Sequence, residues 1–558
     1  MISLIFRRTK SAFRAETLGP KAVIRASFSR AEPRRNFTSS TVILAAMSSD
    51  QQNTVPKRAV GKKFVIACDG TWMNSDSGVD STAFAPPTAQ VPTNVTRIVR
   101  ALNHRDQNGI PQIAFYQRGV GTDSDAEDKL VSGLSGDDIS EHIREAYAFV
   151  ANNFDPQTQE DLDDASKPID EITILGFSRG AYTARCIATM ITDIGLLTKK
   201  GMENFWGIFG DWMKQDMKGN ESEWFKSAYG KFVPFTDPEY RGTLIKEKLT
   251  RWGMPIRAVG CWDTVGALGI PLPWSAENVK PYSFVNTKVA QHVQHAFHAL
   301  AIDEHRNLFS PTLWEQPDEP HKLNVLKQCW FPGSHSNIGG SWPDAGISNI
   351  SLAWMISQLE DTDGGILSFD PEYLNFVQDL ANKYYTKVGE PIRPWGFGKL
   401  YDSSIIDGAV TFTEAVTPIT RTPGRYHQIS LEDGKPTMKR LMDTNECIHR
   451  CVRVRIDAGG PGIEELATTS VTGKIFNLVK EQVGIHSQVK KELATYVSSA
   501  LTNYELQQAP SVKVEVDHAY AGSGGVFWKG KDGLGDLPED TLGRTEIRLL
   551  QRSAERKS

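Results

Sequence analysis

The sequence predicts an α/β protein whose core is a mostly parallel sheet with helices on both faces. Short, continuous apolar runs recur along residues 63–360, and polar residues and glycines follow each run before a helical pattern begins. Such runs are typical of strands buried on both faces of a sheet. The alternation of strands with helices favours parallel pairing, because parallel strands need crossover connections.

The composition is that of a globular protein and argues against several functional classes. Apolar residues make up 40% and charged residues 23%, which is ordinary. A formal net charge of −5 over 558 residues provides no basic surplus for nucleic acid. No apolar run reaches the ~18 residues that a membrane-spanning helix needs. Six cysteines favour reduced thiols in an intracellular protein over a disulfide or zinc framework.

Residues 1–46 differ from the rest of the chain. They carry nine Lys or Arg against two Glu, without a sheet or core pattern. An Arg-rich, acid-poor and amphipathic leader is typical of a mitochondrial transit peptide, which predicts a mitochondrial protein. The alternative is a disordered basic leader on a cytoplasmic protein, with translation starting at Met47. In both cases residues 47–62 form a polar linker.

The first strands and helices are predicted between residues 63 and 177. The apolar run 64–68 ends at Asp69 and Gly70, and Thr93 or Asn94 then caps a helix. A second strand, 113–116, leads into a glycine-rich loop. The next helix has one apolar stripe, made of Ile143, Tyr147, Val150 and Phe154.

The residues around Ser178 predict a nucleophile elbow. A strand-like run meets the pattern Gly176-Phe177-Ser178-Arg179-Gly180, and an Ala-rich helical pattern follows. The tight turn requires small residues two positions before and after the serine, and it presents the hydroxyl at the positive end of a helix. The pattern alone is a weak signal, since an ordinary strand–helix turn with a capping serine would fit it as well.

Two later strands end at candidate catalytic residues. The run 256–262 ends at Asp263, and the run 325–331 is followed by His335, with helices expected between the two runs. Segment 202–250 is aromatic and charged, and it predicts a helical insert that either caps the site or packs elsewhere on the domain.

Ser178, Asp263 and His335 follow one another in the order of an α/β-hydrolase triad. A serine hydroxyl needs a base to become a nucleophile, and that base needs an orienting group. The pattern therefore predicts Ser178 as nucleophile, His335 as base and Asp263 as its orienting carboxylate.

The oxyanion is expected to be bound by backbone N–H groups. One belongs to Arg179, directly after the nucleophile, and the second to Gly70 or Thr71. Asp69 could orient this loop, bind a metal or close a turn, and a structural role is favoured. No cofactor is expected.

Each candidate also has a structural alternative. Asp263 could cap a turn, and His335 could bond only to the backbone. His298 and His305 compete with His335 as the base. A buried ion pair on a helix, rather than a catalytic dyad, is expected for the charged residues nearby, Asp303, Glu304 and Arg306.

Residues 361–558 are predicted to form an accessory region with weaker signals. The run 452–456 predicts a strand. The amphipathic stretch 475–496 predicts a packing helix rather than a membrane-binding one, because its polar positions mix both signs of charge.

Six motifs, in this order, resemble the family called domain of unknown function 2235: DGTW, GVGT, GFSRGAYTAR, WDTVGALG, HALAIDEHR and FPGSHSNIGG. That family is related to the catalytic domain of type VI secretion phospholipase effectors. The resemblance spans residues 63–359, and the C-terminal third resembles fungal-type members. It implies an α/β-hydrolase fold and serine esterase or lipase chemistry, with Ser178 at the family's serine position. The family often has Asp where this chain has Asn337, which weakens any role there that needs a charge.

These observations favour a serine hydrolase of an ester, with a phospholipid or another acyl lipid as substrate. Peripheral contact with a membrane is compatible with this function, no nucleic-acid partner is expected, and the oligomeric state stays open. One alternative is a non-catalytic α/β scaffold that binds a ligand or partner. Another is a metal-assisted hydrolase using Asp69 and Asp263, which the lack of His-rich ligand spacing disfavours.

Overall fold

A parallel sheet organises the fold, as a computed structural model of the chain shows. The structure describes residues 58–70, 91–119, 136–215, 222–265, 285, 287–306, 309–317, 323–401, 419–429, 436–464, 495–508, 526–531 and 533–555. The predicted leader, Thr71 and most of the stretch 475–496 lie outside these ranges. Mitochondrial localisation therefore stays a prediction.

The described strands number sixteen in chain order: β1 Val60–Cys68, β2 Gln112–Gln117, β3 Ile169–Phe177, β4 Leu196–Leu197, β5 Thr250–Arg251, β6 Ile256–Trp262, β7 His295–Ala301, β8 Val325–Phe331, β9 Leu400–Tyr401, β10 His427–Ile429, β11 Pro436–Arg440, β12 Glu446–Ile448, β13 Ile463–Glu464, β14 Tyr504–Gln508, β15 Val526–Gly530 and β16 Leu537–Pro538.

The described α-helices are α1 Asn94–Ala101, α2 Gly136–Asn153, α3 Gln159–Asp163, α4 Arg179–Ile194, α5 Lys199–Met202, α6 Phe205–Met213, α7 Glu223–Tyr229, α8 Pro238–Lys246, α9 His335–Gly339, α10 Gly346–Asp361, α11 Pro371–Val388, α12 Arg450–Asp457 and α13 Arg544–Glu555. Short 3₁₀ turns lie at Thr362–Gly364 and Ser499–Leu501.

Seven of the described strands form the main sheet, in the order β12-β8-β7-β6-β3-β1-β2, and every pair is parallel. The prediction of an α/β fold with a mostly parallel sheet is confirmed. The chain moves from β1 outward to β2 and then returns to the other side of β1 with β3. A reversal of this kind opens a crevice at the carboxyl ends of the strands, and Asp69 and Ser178 follow the two strands that flank it.

Alternate residues of β1 point into two separate cores. Val65 and Ala67 belong to the core shared with α1 and α10. Phe64 and Ile66 belong to the core shared with α2 and α4. Because successive side chains of a strand face opposite sides, a continuous apolar run is what a sheet covered on both faces requires. The predicted stripe on α2 is likewise fully buried, at Ile143, Tyr147, Val150 and Phe154.

The predicted insert forms helices, and two of its contacts lie at the end of α4 that is remote from Ser178. Trp212 donates to Asp193 Oδ2 (2.9 Å), and Thr250 Oγ donates to the carbonyl of Ile194 (2.6 Å). Both acceptors lie at the end of α4, and a helix of 16 residues places that end about 24 Å from its start. These contacts favour packing against the end of α4 over a cap on the site.

Two elements differ from the predictions. The run 452–456 is not a strand but part of helix α12, and the edge strand β12 precedes it. The alternating Val and Arg pattern is misleading because the arginines are bound by other elements: Arg450 and Arg453 pair with Glu539. The segment expected to be helical before β8 contains strand β7, which supplies a central position of the sheet.

The region after residue 360 completes the main sheet. Strand β12 pairs with β8 through the registers Cys447↔Cys329 and Ile448↔Trp330. The described residues from Arg58 onward belong to one compact unit, and the predicted boundary at 360 stays a prediction. Among the described helices, none has the length and apolarity needed to cross a bilayer. All six cysteines are free and buried.

Candidate active site

Ser178 lies in a strained turn between β3 and α4. Its backbone has φ 59° and ψ −126°, in the half of φ space that L-residues rarely adopt. A Cβ on Gly176 would lie 2.4 Å from the carbonyl oxygen of Gly180. A Cβ on Gly180 would lie 2.3 Å from the carbonyl oxygens of Cys68 and Asp69. Both positions therefore exclude any side chain, as a nucleophile elbow requires.

The loop after β1 packs directly against the elbow. A Cβ on Gly70 would lie 2.9 Å from the ring of Phe177 and 3.3 Å from Cβ of Ser178. Glycine at position 70 thus allows the ends of β1 and β3 to approach each other beside the serine, which is itself buried.

Asp263 and His335 form a direct hydrogen bond. His335 Nδ1 lies 2.6 Å from Asp263 Oδ2, and both side chains are buried. The His335 ring also lies against Phe177, with 4.7 Å between ring centroids. The base candidate therefore contacts both its predicted carboxylate and the residue that precedes Ser178.

The end of β6 fixes Asp263. Its N–H donates to the carbonyl of Ala299 (2.7 Å), and its Oδ1 accepts from the N–H of Ala301 (2.9 Å). The backbone φ of Asp263 is 41°, so this residue too is held in the left-handed region. Strained non-glycine residues cluster at functional sites, and here two of them follow neighbouring strands.

Helix α9 carries His335 and is anchored by its own cap. Asn337 Oδ1 accepts from the N–H and the hydroxyl of Ser334, both at 3.2 Å, and from the N–H of Tyr401 at 3.1 Å. Asn337 Nδ2 donates to the carbonyl of Lys399 (2.9 Å). An uncharged amide serves this role, which agrees with Asn at a position where the resembled family often has Asp.

Arg421 is the site residue that the sequence reasoning missed. Its side chain is fully buried and donates hydrogen bonds to both carboxylate oxygens of Asp263. Nη1 lies 2.6 Å from Oδ1, and Nη2 lies 3.0 Å from Oδ2. It comes from the segment RTPGRYH, whose sequence predicts a turn and resembles fungal-type members of the family. Nothing local to that segment signals the contact, because Asp263 lies 158 positions earlier.

Charge and burial shift the pKa values of Asp263 and His335 in opposite directions. Burial alone would raise the pKa of the Asp263 carboxyl, but Arg421 and the hydrogen bond from His335 hold that pKa well below its ordinary value. Burial lowers the pKa of His335 below its ordinary value, although the Asp263 carboxylate acts in the opposite direction. At neutral pH the pair therefore consists of a carboxylate and a neutral imidazole.

Glu304 and Arg306 form the predicted ion pair, at 3.0 Å, but in the loop after β7 rather than on a helix. Burial would raise the pKa of Glu304, and Arg306 instead lowers it to about 2. The same carboxylate accepts the backbone N–H of His335 (3.1 Å). Asp303 is not part of the pair, since it accepts from Tyr496 (2.8 Å) and Ser498 (2.7 Å).

The competing histidines have other partners. His298 lies on β7, where its Nε2 accepts from the N–H of Thr264 (3.1 Å) and its Nδ1 lies 3.2 Å from Gln328 Oε1. Burial lowers its pKa well below the ordinary value. His305 Nδ1 lies 3.0 Å from the carbonyl of Ile419. Both rings therefore have hydrogen-bond partners outside the Asp263–His335 pair.

The carboxylate of Asp69 accepts four hydrogen bonds. Its Oδ2 accepts from Thr93 (2.8 Å), Thr96 (3.2 Å) and Tyr116 (2.8 Å), and its Oδ1 accepts the N–H of Gly70 (2.7 Å). Burial raises its pKa to about 6, against these hydrogen bonds. In this structure the Gly70 N–H donates to Asp69, and its role as an oxyanion donor stays a prediction.

The carboxylates of Asp69 and Asp263 do not form a metal site. The first is occupied by hydroxyls and an amide, and the second by a guanidinium and an imidazole. Within the described ranges, one cluster has metal-ligand spacing, and it lies elsewhere: Cys329, Cys447 and Asp540. Asp540 there is bound by Lys327 (3.0 Å) and Trp354 (2.8 Å).

Comparisons with known proteins identify the family of the chain. Residues 62–358 match the family model described as "T6SS, Phospholipase effector Tle1-like, catalytic domain". An uncharacterized protein of Saccharomyces cerevisiae, YEL023C, is 26% identical over 286 residues, which are 48% of this chain and 35% of that protein. The match therefore spans about a third of the relative's length.

Two solved structures are also similar to this chain. One is an uncharacterized protein from Pseudomonas aeruginosa, 15% identical over 60% of this chain and 51% of that one, with a TM-score of 0.35. The other is the Tle1 effector bound to the VgrG spike of the type VI secretion system, 17% identical over 55% and 57% of the two chains, with a TM-score of 0.26. The family model covers more than half of the chain, and the protein belongs to the family of Tle1-like phospholipase effector catalytic domains.

Proposed function

We propose that this protein is a serine hydrolase that cleaves an ester bond of a phospholipid or another acyl lipid. The observation that carries the proposal is the buried hydrogen bond of 2.6 Å between Asp263 and His335, at the sheet edge that also bears the strained elbow of Ser178. Membership of a family of phospholipase effector catalytic domains supports a lipid substrate.

The reaction would proceed through an acyl-enzyme. Ser178 Oγ attacks the acyl carbonyl carbon while Nε2 of His335 takes the hydroxyl proton. The tetrahedral intermediate collapses, and His335 gives that proton to the departing alcohol. A water molecule then attacks the acyl-enzyme with His335 again as base, which releases the fatty acid and restores the Ser178 hydroxyl.

Asp263 would keep the imidazole in the productive tautomer. A proton on Nδ1, donated to Oδ2 of Asp263, leaves Nε2 with a lone pair that can accept the proton of Ser178. Burial supports this state, because it lowers the pKa of His335 and keeps the ring neutral at pH 7.

The developing oxyanion would be stabilised by backbone donors at the carboxyl edge of the sheet. Arg179 is the first residue of α4, so its N–H lies at the positive end of that helix. With the Gly70 N–H bound to Asp69, the loop's candidate for the second donor is Thr71, which lies outside the described residues. Loss of one such donor typically costs ~10²–10³ in rate.

The purified protein should be incubated with vesicles of defined phospholipids and with a panel of simple esters, and released fatty acid measured. Release that disappears in Ser178→Ala supports the proposal. His335→Ala should lower kcat/KM by orders of magnitude, whereas His298→Ala should leave most of the rate and cost about 1–3 kcal/mol of stability through its lost hydrogen bonds.

The opposite ranking of the two histidine variants would transfer the base to His298. A folded wild-type protein that releases nothing from any lipid or ester would instead favour a non-catalytic binding scaffold. Activity that survives Ser178→Ala would contradict the serine mechanism.

A further inference from the structure

The guanidinium of Arg421 lies in the site, although Arg421 comes after the segment that matches the family model. Residues 62–358 match the family model, and Arg421 follows 63 positions after its end (421 − 358). The side chain is fully buried, and its two Nη atoms donate to Asp263 Oδ1 (2.6 Å), Asp263 Oδ2 (3.0 Å) and the carbonyls of Ala301 (2.7 Å) and Phe309 (2.6 Å).

The Asp263 carboxylate thereby receives four donors. Oδ1 accepts from Arg421 and from the N–H of Ala301, and Oδ2 accepts from Arg421 and His335. Four donors match the number of lone-pair sites on a carboxylate, so its plane cannot rotate without breaking a bond. A bidentate arginine fixes that plane more strictly than a point charge would.

Arg421 also changes the charge that His335 experiences. The charged groups facing this ring are Asp263, Glu304 and Arg306, with Arg421 behind Asp263. Arg306 compensates Glu304 through its ion pair of 3.0 Å. Arg421 compensates Asp263 in the same way, so the imidazole lies between two balanced ion pairs instead of beside excess negative charge.

We propose that Arg421 is a positioning residue of the active site, which fixes the Asp263 carboxylate against His335 and offsets its negative charge. The proposal rests on the proposed hydrolase function. It makes the C-terminal region part of the active site, since this arginine reaches Asp263 from beyond the segment that matches the family model. It also assigns Arg421 a measurable effect: His335 loses its proton at a lower pH than it would beside an uncompensated carboxylate.

The test compares two variants of Arg421 with the wild type. Arg421→Gln removes the charge. Arg421→Lys keeps the charge but cannot donate to both carboxylate oxygens in the bidentate geometry of a guanidinium. In the Gln variant the acid limb of the pH profile of kcat/KM, measured on a soluble p-nitrophenyl ester, should move upward by about one pH unit, because an uncompensated carboxylate favours the imidazolium. In the Lys variant the limb should stay near that of the wild type while kcat falls.

Arg455 provides a matched control. It is equally buried and comes from the same C-terminal region, but its guanidinium donates to the backbone carbonyls of Gly396, Gly398 and Pro461. Arg455→Gln removes a comparable buried charge without touching Asp263. Its acid limb should coincide with that of the wild type.

A second measurement follows the titration of His335 without turnover. NMR of the histidine side chains, with His335 assigned from the His335→Gln spectrum, should show a higher midpoint in Arg421→Gln than in the wild type. An unchanged midpoint would overturn the proposal, as would an equal shift in Arg455→Gln. If the Gln variant does not fold, the Lys variant decides, and an unchanged kcat would overturn the positioning role. A wild type that titrates as expected but hydrolyses nothing refutes the hydrolase function and not the role of Arg421.

Discussion

At the scale of single residues, the elbow depends on two glycines whose Cα hydrogens face backbone atoms. The space beside Gly180 is closed by the carbonyl oxygens of Cys68 and Asp69, which belong to the end of β1. Backbone of a central strand cannot move aside as a flexible side chain could. The elbow thus ties Ser178 to the loop after β1.

We expect Gly180→Ala to destabilise the protein by about 1–3 kcal/mol, the usual cost of overpacking. The matched control is Gly242→Ala on α8, where an added Cβ would meet nothing within 4 Å. There the change should stabilise by about 0.5–1 kcal/mol, because glycine is unfavourable inside a helix. Urea unfolding measures both effects. Equal stability of the two variants would contradict the close approach at the elbow.

In the proposed mechanism, the protonation state of His335 sets the acid limit of activity. Burial lowers its pKa below the ordinary value of about 6.5. The base works only when neutral, so hydrolysis should persist at pH 6.5 and fall as the pH drops through the lowered pKa. A pH profile of kcat/KM on a soluble ester checks this. A limb above pH 7 would indicate that the imidazolium, not the neutral ring, is favoured in the folded enzyme.

At the scale of secondary structure, helix α12 is joined to the segment after β16 by a buried cluster of charges. Glu539 accepts from Arg450 Nε (2.8 Å) and from Arg453 Nε (2.7 Å), one on each oxygen. Its side chain is 2% exposed, so its removal takes a buried counter-charge from both guanidinium groups at once. This cluster orients the helix that follows the edge strand of the sheet.

Glu539→Gln should therefore lower the free energy of unfolding by about 3–5 kcal/mol, the typical result of breaking a buried ion pair from one side. The control is Glu160→Gln, whose partner Lys248 and own side chain are both largely exposed. Exposed pairs contribute little, so no change is expected there. Similar losses of unfolding free energy in the two variants, measured by chemical denaturation, would show that the buried cluster stabilises the fold no more than the exposed pair does.

Strands made of continuous apolar runs were predictable from the sequence, and strands with mixed composition were not. The runs 64–68, 113–116, 256–262 and 325–331 are apolar enough to indicate strands without tertiary information. Strand β7 contains two histidines, and their partners, such as the Thr264 N–H and Gln328 for His298, appear only after folding. Helix α12 was mistaken for a strand for the same reason, since its arginines are satisfied by distant residues.

The candidate site shows the same limit. Ser178, Asp263 and His335 could be proposed because each follows a recognisable strand or motif, and Asp263 and His335 meet in the structure. Arg421 could not, because a bidentate contact across 158 positions leaves no local pattern. The sequence also could not show whether the Gly70 N–H is free to bind an oxyanion, since this depends on the rotamer of Asp69.

At the scale of the whole molecule, the catalytic segment and the C-terminal region share one core. Ile448 and Val452 pack in the same cluster as Trp354 of α10, and the His449 ring stacks on Phe331 at 4.5 Å between centroids. Without β12, the edge of β8 would be uncovered, and exposed strand edges promote aggregation.

Residues 62–358 expressed alone should therefore fail to fold cooperatively, although they are the part that matches the family model. We expect a broad, weakly cooperative urea transition and rapid proteolysis, in contrast to the full chain under the same conditions. A sharp transition of the isolated segment, with native near-UV circular dichroism, would contradict the shared core.

The central claim is that Ser178 is an activated nucleophile. The most direct measurement is covalent labelling of the folded full-length protein with a fluorophosphonate probe, with the modified peptide identified by mass spectrometry. We predict one modification, on Ser178, that is absent in Ser178→Ala and strongly slowed in His335→Ala. A folded wild-type protein that stays unlabelled, or a Ser178→Ala variant labelled as fast as the wild type, would contradict it.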